Sequence, residues 1–289
     1  MWKKVLKIGV PTTCALLTGS YLYRNDLRAF AATAIPDHFS DISSWSSDFW
    51  ESQSNLFPRK PWNKNWDNRD PMTMVDIDKY MEANEETRKE LLKEVKPTAT
   101  RHIFLIRHGQ YQLDSKEKYL TALGREQAIL LGKSLAEGGT KFDKCIYSTM
   151  NRATETAQLM MEQLPPLKSK SDSILEEGAP YPPEPRHGDW RPRLKEFYTE
   201  GSRIEAAFRK YIHRASPKQK EDSYELIVCH ANVIRYFICR ALQFPPEGWL
   251  RISIGNTGIT WLVIRPNGNV SLRYLGEIGH LHPDKLTFT

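Results

Sequence analysis

The sequence predicts an α/β domain with a mixed, mostly parallel sheet flanked by helices, and two observations support this prediction. Short apolar runs alternate with segments of helical periodicity between residues 100 and 242. The last part of the chain instead carries alternating strand-like segments joined by a turn at 266–268. Strands that alternate with helices favour a parallel arrangement, whereas strands that follow each other through a turn favour antiparallel pairing. A mixed sheet contains both parallel and antiparallel strand pairs.

Each element is predicted from a local signal. The predicted strands are 103–106, 142–147, 226–229, 252–254, 259–264 and 270–275. The predicted helices are 84–96, 121–138, 150–164, a segment around 204–212, and 232–242. Thr121 is a suitable N-cap for the second of these helices. The segment 178–192 carries five prolines and is predicted to be a stiff loop.

Composition restricts the possible partners and the chemistry. The 289 residues include 41 Lys and Arg against 35 Asp and Glu, a net charge of +6 that suits anionic partners. The basic residues are scattered, so nucleic acid is not favoured over phosphorylated groups or an acidic membrane surface. The four cysteines show no CxxC or Cys/His ligand spacing. They are therefore predicted to be buried, reduced thiols rather than a disulfide framework or a zinc site.

The N-terminal segment 1–28 is predicted to be a membrane anchor. Residues 5–23 form a stretch of 19 residues in which Lys7 is the only charge. As a helix this stretch would be roughly 28 Å long, which is close to the ~30 Å hydrocarbon core of a bilayer. A cleaved secretory signal and a buried core helix are the alternatives. Charged residues crowd the region before the Ala-x-Ala sequence at 29–31, which disfavours a cleavage site there.

Residues 29–97 are predicted to be a polar linker, followed by a globular domain at 98–289. Apolar residues in the linker show neither strand nor helix periodicity until residue 84. Trp62, Trp66 and Asp67 stand out in it, because tryptophans are costly to leave in water and are common anchors of interfaces. They are interpreted either as an assembly motif or as residues that fold back onto the domain.

Chemically active side chains follow three of the predicted strands. Arg107 and His108 end the first strand, and His230 ends the strand at 226–229. Arg152 lies in the first turn of the helix after the strand at 142–147. The carboxyl ends of parallel strands form the ligand crevice of open α/β sheets. Guanidinium groups and helix N-termini in one crevice indicate a site for phosphate.

The order of these motifs resembles the histidine phosphatase (phosphoglycerate mutase-like) superfamily. The resemblance is carried by LIRHG at 105–109, LTALGREQA at 120–128, STMNRATETA at 148–157 and LIVCHANVIRY at 226–236. Within that superfamily, RHIFLIRHGQY, EGAP and ALQFPPEGWLR are similar to segments of mitochondrial serine/threonine-protein phosphatases. The resemblance extends from about residue 98 to the C-terminus and takes in the segment 62–67.

The resemblance implies roles for the site residues. His108 would be the nucleophile that forms a phosphohistidine, and Arg107, Arg152 and His230 would bind the phosphate oxygens. His230, opposite the phosphate, is expected to be protonated. Glu177 matches the family's acid/base glutamate, whereas its neighbour Glu176 is expected to be a solvated residue without a role in the reaction. No metal and no cofactor are expected.

The resemblance also implies a function. The expectation is a metal-independent protein serine/threonine phosphatase on a mitochondrial membrane, acting on phosphorylated proteins that include stress-activated kinases. Little mutase activity is expected, because Gln110, Tyr111 and the proline-rich segment depart from the mutase pattern. The segment 62–67 would support a dimer and a larger homo-oligomer. The alternatives are a small-molecule phosphomonoesterase or mutase, and a mitochondrial adaptor that uses the fold for binding.

Overall fold

The computed structural model describes residues 60–188 and 190–288. From Trp62 onward the chain forms one unit, built on a six-stranded sheet of order β3-β2-β4-β1-β5-β6. The strands are β1 (Arg101–Arg107), β2 (Lys144–Tyr147), β3 (Lys168–Ser171), β4 (Ser223–Cys229), β5 (Ile259–Ile264) and β6 (Val270–Glu277). The pairs β1–β4, β4–β2 and β2–β3 are parallel, and β5 is antiparallel to both of its neighbours. The predicted mixed, mostly parallel sheet is confirmed.

Seven α-helices occur in the described residues. They are α1 (Pro71–Met74), α2 (Ile77–Glu82), α3 (Glu85–Val95), α4 (Ala122–Glu137), α5 (Asn151–Met161), α6 (Leu194–Tyr211) and α7 (Ala231–Ala241). Three short 3₁₀ helices cover Ser173–Leu175, Pro246–Arg251 and Pro283–Lys285. None of the helices in this part of the chain combines the length and the hydropathy needed to cross a bilayer. The predicted anchor at 1–28 lies outside the described residues, as does the linker up to residue 59.

The core has two apolar clusters, one on each face of the sheet. Ile103 and Leu105 of β1 pack with residues of α6 and α7, whereas Phe104 and Ile106 pack with residues of α4 and α5. Successive side chains of a strand point to opposite faces, so this alternation places helices on both sides. The central strands are buried on both faces, which explains why they are apolar without interruption.

Most predicted elements are present, and the exceptions have local causes. Thr121 caps α4 by accepting a hydrogen bond from the Gly124 backbone, and α3 begins directly after Asn84. The edge strand β3 was not predicted, because its sequence KSKS is exposed at every position and carries no apolar pattern. The predicted strand at 252–254 is wrong. Ile252 ends a 3₁₀ helix, and Ile254 is buried in the core without pairing in the sheet.

The interpretation of residues 62–67 as part of a polar linker is wrong for Trp66 and Asp67. Trp66 is 8% exposed and packs in the core, where its indole Nε1 donates to the Gly268 carbonyl at 2.8 Å. Asp67 forms a buried ion pair with Arg214, with 2.6 Å between Oδ1 and Nη2. Burial raises the pKa of Asp67, but hydrogen bonds from Arg214 outweigh burial and hold the pKa below its usual value. The folded unit therefore begins at Trp62 and not at residue 98.

Candidate active site

The three adjacent parallel strands β1, β4 and β2 end at the same edge of the sheet. Arg107 is the last residue of β1, and His108 follows it. Ser148 follows the end of β2, and His230 follows β4 as the N-cap residue of α7. All of these side chains are buried. The sequence prediction that the strand ends bring the two imidazoles together is confirmed, since their ring centroids lie 5.2 Å apart.

Hydrogen bonds determine the tautomer of His108. Its Nδ1 lies 2.8 Å from the Gly109 carbonyl oxygen, which can only accept, so Nδ1 carries the proton. The Nε2 atom is then unprotonated and accepts a hydrogen bond from Arg152 Nε at 3.2 Å. Burial, followed by the charges of Arg107 and Arg152, lowers the pKa of His108 well below its usual value. His108 is therefore a neutral imidazole with its Nε2 lone pair directed at the Arg152 guanidinium.

Two arginines supply positive charge around His108. Arg152 is the second residue of α5, is 6% exposed, and lies under the Tyr111 ring at 4.8 Å from its centroid. Arg107 donates from Nη1 to the carbonyls of Ile254 and Phe288, at 2.7 and 3.1 Å. Its Nε is buried and has no hydrogen-bond partner among the described residues. Burial lowers the pKa of Arg107 to about 10, so the guanidinium stays charged at neutral pH.

His230 is held by Ser148. Its Nε2 lies 2.8 Å from Ser148 Oγ, and its buried Nδ1 has no partner in the described part of the chain. Nδ1 can thus reach a phosphate oxygen. Burial and the neighbouring His108 and Arg152 lower the pKa of His230 well below its usual value. This direction differs from the expected protonated state, because burial and the positive charges of nearby arginines disfavour the imidazolium.

Glu177 completes the site. Ligand atoms of Glu177, His108 and His230 lie within 4.8 Å of one another. Burial raises the pKa of the Glu177 carboxyl, although the charge of Arg152 opposes the shift. A raised pKa favours the protonated acid that can donate to a leaving group. The neighbouring Glu176 instead accepts a hydrogen bond from the Thr149 hydroxyl.

By distance alone, the same three side chains form a set that could hold a metal ion. The charges of Arg107 and Arg152 act directly on both Glu177 and His108. Two guanidinium groups beside the three possible ligands repel a divalent cation and attract an anion of phosphate size. The electrostatics of the site therefore favour phosphate over a metal.

Other residues of the site are evident only in the structure. Tyr111 covers Arg152 and meets the His108 ring edge-on, with 5.2 Å between centroids. Asn256 Nδ2 and the Thr257 backbone both donate to the His108 carbonyl, at 3.1 and 3.3 Å. Arg203 donates to the carbonyls of Glu176 and Glu177. The sequence analysis gave no signal for the Asn256–Thr257 contacts.

Comparisons with known proteins identify the family of the chain. The model of the histidine phosphatase superfamily (branch 1) matches residues 103–275. The chain is 56% identical to "Serine/threonine-protein phosphatase Pgam5, mitochondrial" of Caenorhabditis briggsae over 298 residues, covering 100% of both chains. Its human counterpart is 53% identical over 230 residues, covering 78% of this chain and 80% of that protein. A Plasmodium falciparum phosphoglycerate mutase crystal structure is 34% identical, covers 64% of this chain and 96% of its own, and has a TM-score of 0.47. The chain belongs to the histidine phosphatase superfamily.

Proposed function

We propose that the chain is a protein serine/threonine phosphatase that works without a metal and passes through a phosphohistidine at His108. One observation carries the proposal. A neutral, buried imidazole presents the lone pair of Nε2 to Arg152 Nε at 3.2 Å, beside a glutamic acid whose pKa is raised by burial. An activated nucleophile, a cationic anion site and an acid are the parts that phosphoryl transfer needs.

The first step transfers the phosphoryl group to the enzyme. His108 Nε2 attacks phosphorus, a P–N bond forms, and the ester P–O bond breaks. The departing serine or threonine oxygen takes the proton of Glu177. Arg107, Arg152 and Nδ1 of His230 bind the equatorial oxygens, whose charge must be stabilised. Arg107 Nε and His230 Nδ1, which have no hydrogen-bond partner among the described residues, support this assignment.

The second step releases phosphate. Glu177, now a carboxylate, takes a proton from water as the water oxygen attacks phosphorus and the P–N bond breaks. The electron pair returns to Nε2, so inorganic phosphate leaves and neutral His108 is restored. The cationic neighbours that favour the neutral imidazole also favour its role as a leaving group.

Phosphorylated proteins are the proposed substrates, stress-activated kinases among them. The similar proteins from Caenorhabditis briggsae and human are both named serine/threonine-protein phosphatases. The test compares turnover of a panel of phosphoproteins with turnover of phosphoglycerates and sugar phosphates by the full chain. Release of phosphate from phosphoserine or phosphothreonine proteins is expected, with little mutase activity. Faster turnover of the small phosphate esters would favour a phosphomonoesterase or mutase.

A mitochondrial membrane is the proposed location, with residues 1–28 as a single anchor. The similar proteins are named mitochondrial, and residues 5–23 have the length and hydropathy of a membrane span. Removing residues 1–28 should turn a carbonate-resistant protein into one that the carbonate wash releases. Turnover of a small aryl phosphate should be unchanged, because the site lies within Trp62–Thr289. Carbonate release of the intact full-length chain would contradict the anchor.

Self-association is proposed to use the surface at Trp62 and not Trp66. Trp62 is 36% exposed, whereas Trp66 is 8% exposed. Trp62→Ala should therefore yield a smaller species in sedimentation and leave the free energy of unfolding within ~0.5 kcal/mol of the wild type. Trp66→Ala should instead lower that free energy by about 3–5 kcal/mol, because it leaves a cavity in the core. Unchanged sedimentation of the Trp62 variant would contradict the assembly role, and an unchanged stability of the Trp66 variant would contradict its burial.

A further inference from the structure

The proline-rich segment that follows Glu177 in the chain lines a groove. The groove has a volume of about 300 Å³ and combines prolines, apolar side chains and two guanidinium groups. Its lining includes Pro182, Arg186, Trp190, Arg191, Leu194 and Phe197. The reaction proposed above uses none of these residues, so the groove has no role in the chemical step.

The groove is a preformed feature of the fold. The buried Trp249 donates from its indole Nε1 to the Tyr181 carbonyl at 2.8 Å. Arg251 Nε donates to the Glu184 carbonyl at 2.9 Å, and the Glu184 backbone donates to the Glu247 carbonyl at the same distance. The wall formed by residues 181–184 is thus hydrogen-bonded to the 3₁₀ helix Pro246–Arg251, and the opposite wall contacts the same helix through the Trp190 and Trp249 rings. A groove that is already ordered binds a peptide at a lower entropic cost than a loop that must first become ordered.

Large apolar side chains around the groove are exposed to solvent. Trp190 and Leu194, which line the groove, are 38% and 64% exposed. The Trp190 ring lies 5.7 Å from the Trp249 ring and 6.1 Å from the Phe197 ring, which fixes its orientation. Clustered exposed aromatics on a soluble surface mark sites of protein interaction.

The basic side chains of the groove favour the binding of an acidic peptide segment. Residues 186–195 contain four Arg or Lys and a single acidic residue, Asp189. Arg193 is paired with Glu196, whereas neither Arg186 nor Arg191 forms an ion pair within the described residues. Both guanidinium groups line the groove, where they can bind carboxylates of a bound chain.

Distance along the chain links the groove to the active site. Glu177 and Pro182 are five residues apart, a separation that spans at most roughly 17 Å. A substrate that places a phosphorylated side chain at His108 can therefore reach the groove with the next five or six residues of its own chain. We propose that the groove binds an acidic segment with an apolar residue, next to the phosphorylated residue of a protein substrate. This inference rests on the phosphatase function proposed above.

The test measures kcat/KM of the full chain in detergent for three substrates. Two are phosphoserine peptides that differ only in the flanking six residues, which are acidic with one leucine in the first and basic with one leucine in the second. The third is a small aryl phosphate, which cannot reach the groove. The variants are Arg186→Glu with Arg191→Glu, and separately Trp190→Ala. Lys168→Glu with Lys170→Glu, on the exposed edge strand β3, is the control with the same change in charge.

The wild type should prefer the acidic peptide, and the arginine variant should lose about tenfold or more in kcat/KM for it. The Trp190 variant should lose activity on both peptides. Both variants should keep wild-type activity on the aryl phosphate, and the lysine control should behave as wild type. The inference would be overturned if the groove variants lost kcat/KM equally on the peptides and on the aryl phosphate, or lost none on the peptides. It would also be overturned if the variants changed only in sedimentation and not in peptide kinetics. Aryl phosphate turnover with no peptide turnover by the wild type would instead refute the proposed protein phosphatase function.

Discussion

His108→Ala is expected to abolish turnover of phosphopeptides and aryl phosphates alike, with a loss on the order of 10⁴-fold or more. The reason is that no other described side chain offers a neutral imidazole lone pair beside Arg152. The second imidazole, His230, lies with its ring centroid 5.2 Å from that of His108 but is engaged at Nε2 by Ser148. The measurement is steady-state phosphate release, with circular dichroism to show that the fold is retained.

Trapping the intermediate tests the same residue directly. Wild-type protein quenched during turnover of labelled substrate should carry acid-labile, base-stable phosphate on His108, and the alanine variant should carry none. Phosphate on any other residue would exclude the mechanism, as would full activity of the variant. An alanine variant that is inactive yet still performs the cellular role of the protein would support the adaptor alternative.

Glu177→Gln is expected to slow turnover of phosphopeptides by about 10²–10⁴-fold, the usual contribution of a positioned acid and base. An amide can neither protonate the serine oxygen nor accept a proton from water. A good aryl leaving group needs no acid, so phosphorylation of His108 by an aryl phosphate should be nearly normal and only the release of phosphate should be slow. The phosphoenzyme should then accumulate. Glu176→Gln is the matched control and should change little, because that side chain is bonded to Thr149.

The pH dependence of the first step follows from the same carboxyl. Burial raises the pKa of Glu177 above its usual value, so the protonated acid persists to higher pH than in an exposed glutamate. The rate of phosphopeptide cleavage in a single turnover should fall as the pH rises through this raised pKa. The rate of the Glu177→Gln variant should not show this decrease with rising pH. If the variant still shows the decrease, the titrating group is not Glu177.

The raised pKa of Glu177 should also make the wild type and the Glu177→Gln variant differ in stability. A carboxyl whose pKa is higher in the folded than in the unfolded state stabilises the fold below its unfolded pKa and loses that contribution as the pH rises through the folded pKa. At neutral pH the Glu177→Gln protein should therefore unfold at a slightly higher denaturant concentration than the wild type. Such a gain in stability on substitution is expected for a residue that contributes to catalysis at a cost in stability.

The sheet and the positions of the candidate site residues could be predicted because their signals are local. The buried strands are continuous apolar runs, and the strand ends carry Arg107, His108 and His230 within one or two residues of those runs. The N-cap at Thr121 is likewise set by its own side chain. In such segments, pattern and tertiary structure favour the same conformation.

What could not be predicted depends on contacts between distant parts of the chain. Trp66 and Gly268 are 202 residues apart, and Asp67 and Arg214 are 147 apart. The local sequence around Trp66 is polar, so its periodicity gave no sign that the indole enters the core. The lowered pKa of His230 was missed for a similar reason, because it follows from burial and from charges brought together by folding.

The position of β1 between β4 and β5 has a consequence for the synthesis of the protein. His108 is made early, but its backbone carbonyl is held by Asn256 and Thr257, and β1 pairs with strands that begin at Ser223 and Ile259. A nascent chain that has emerged from the ribosome only as far as α6 cannot assemble the central sheet. Such long-range pairing makes folding slow and delays it until most of the chain is available. Chains that end before β5 should therefore lack phosphatase activity.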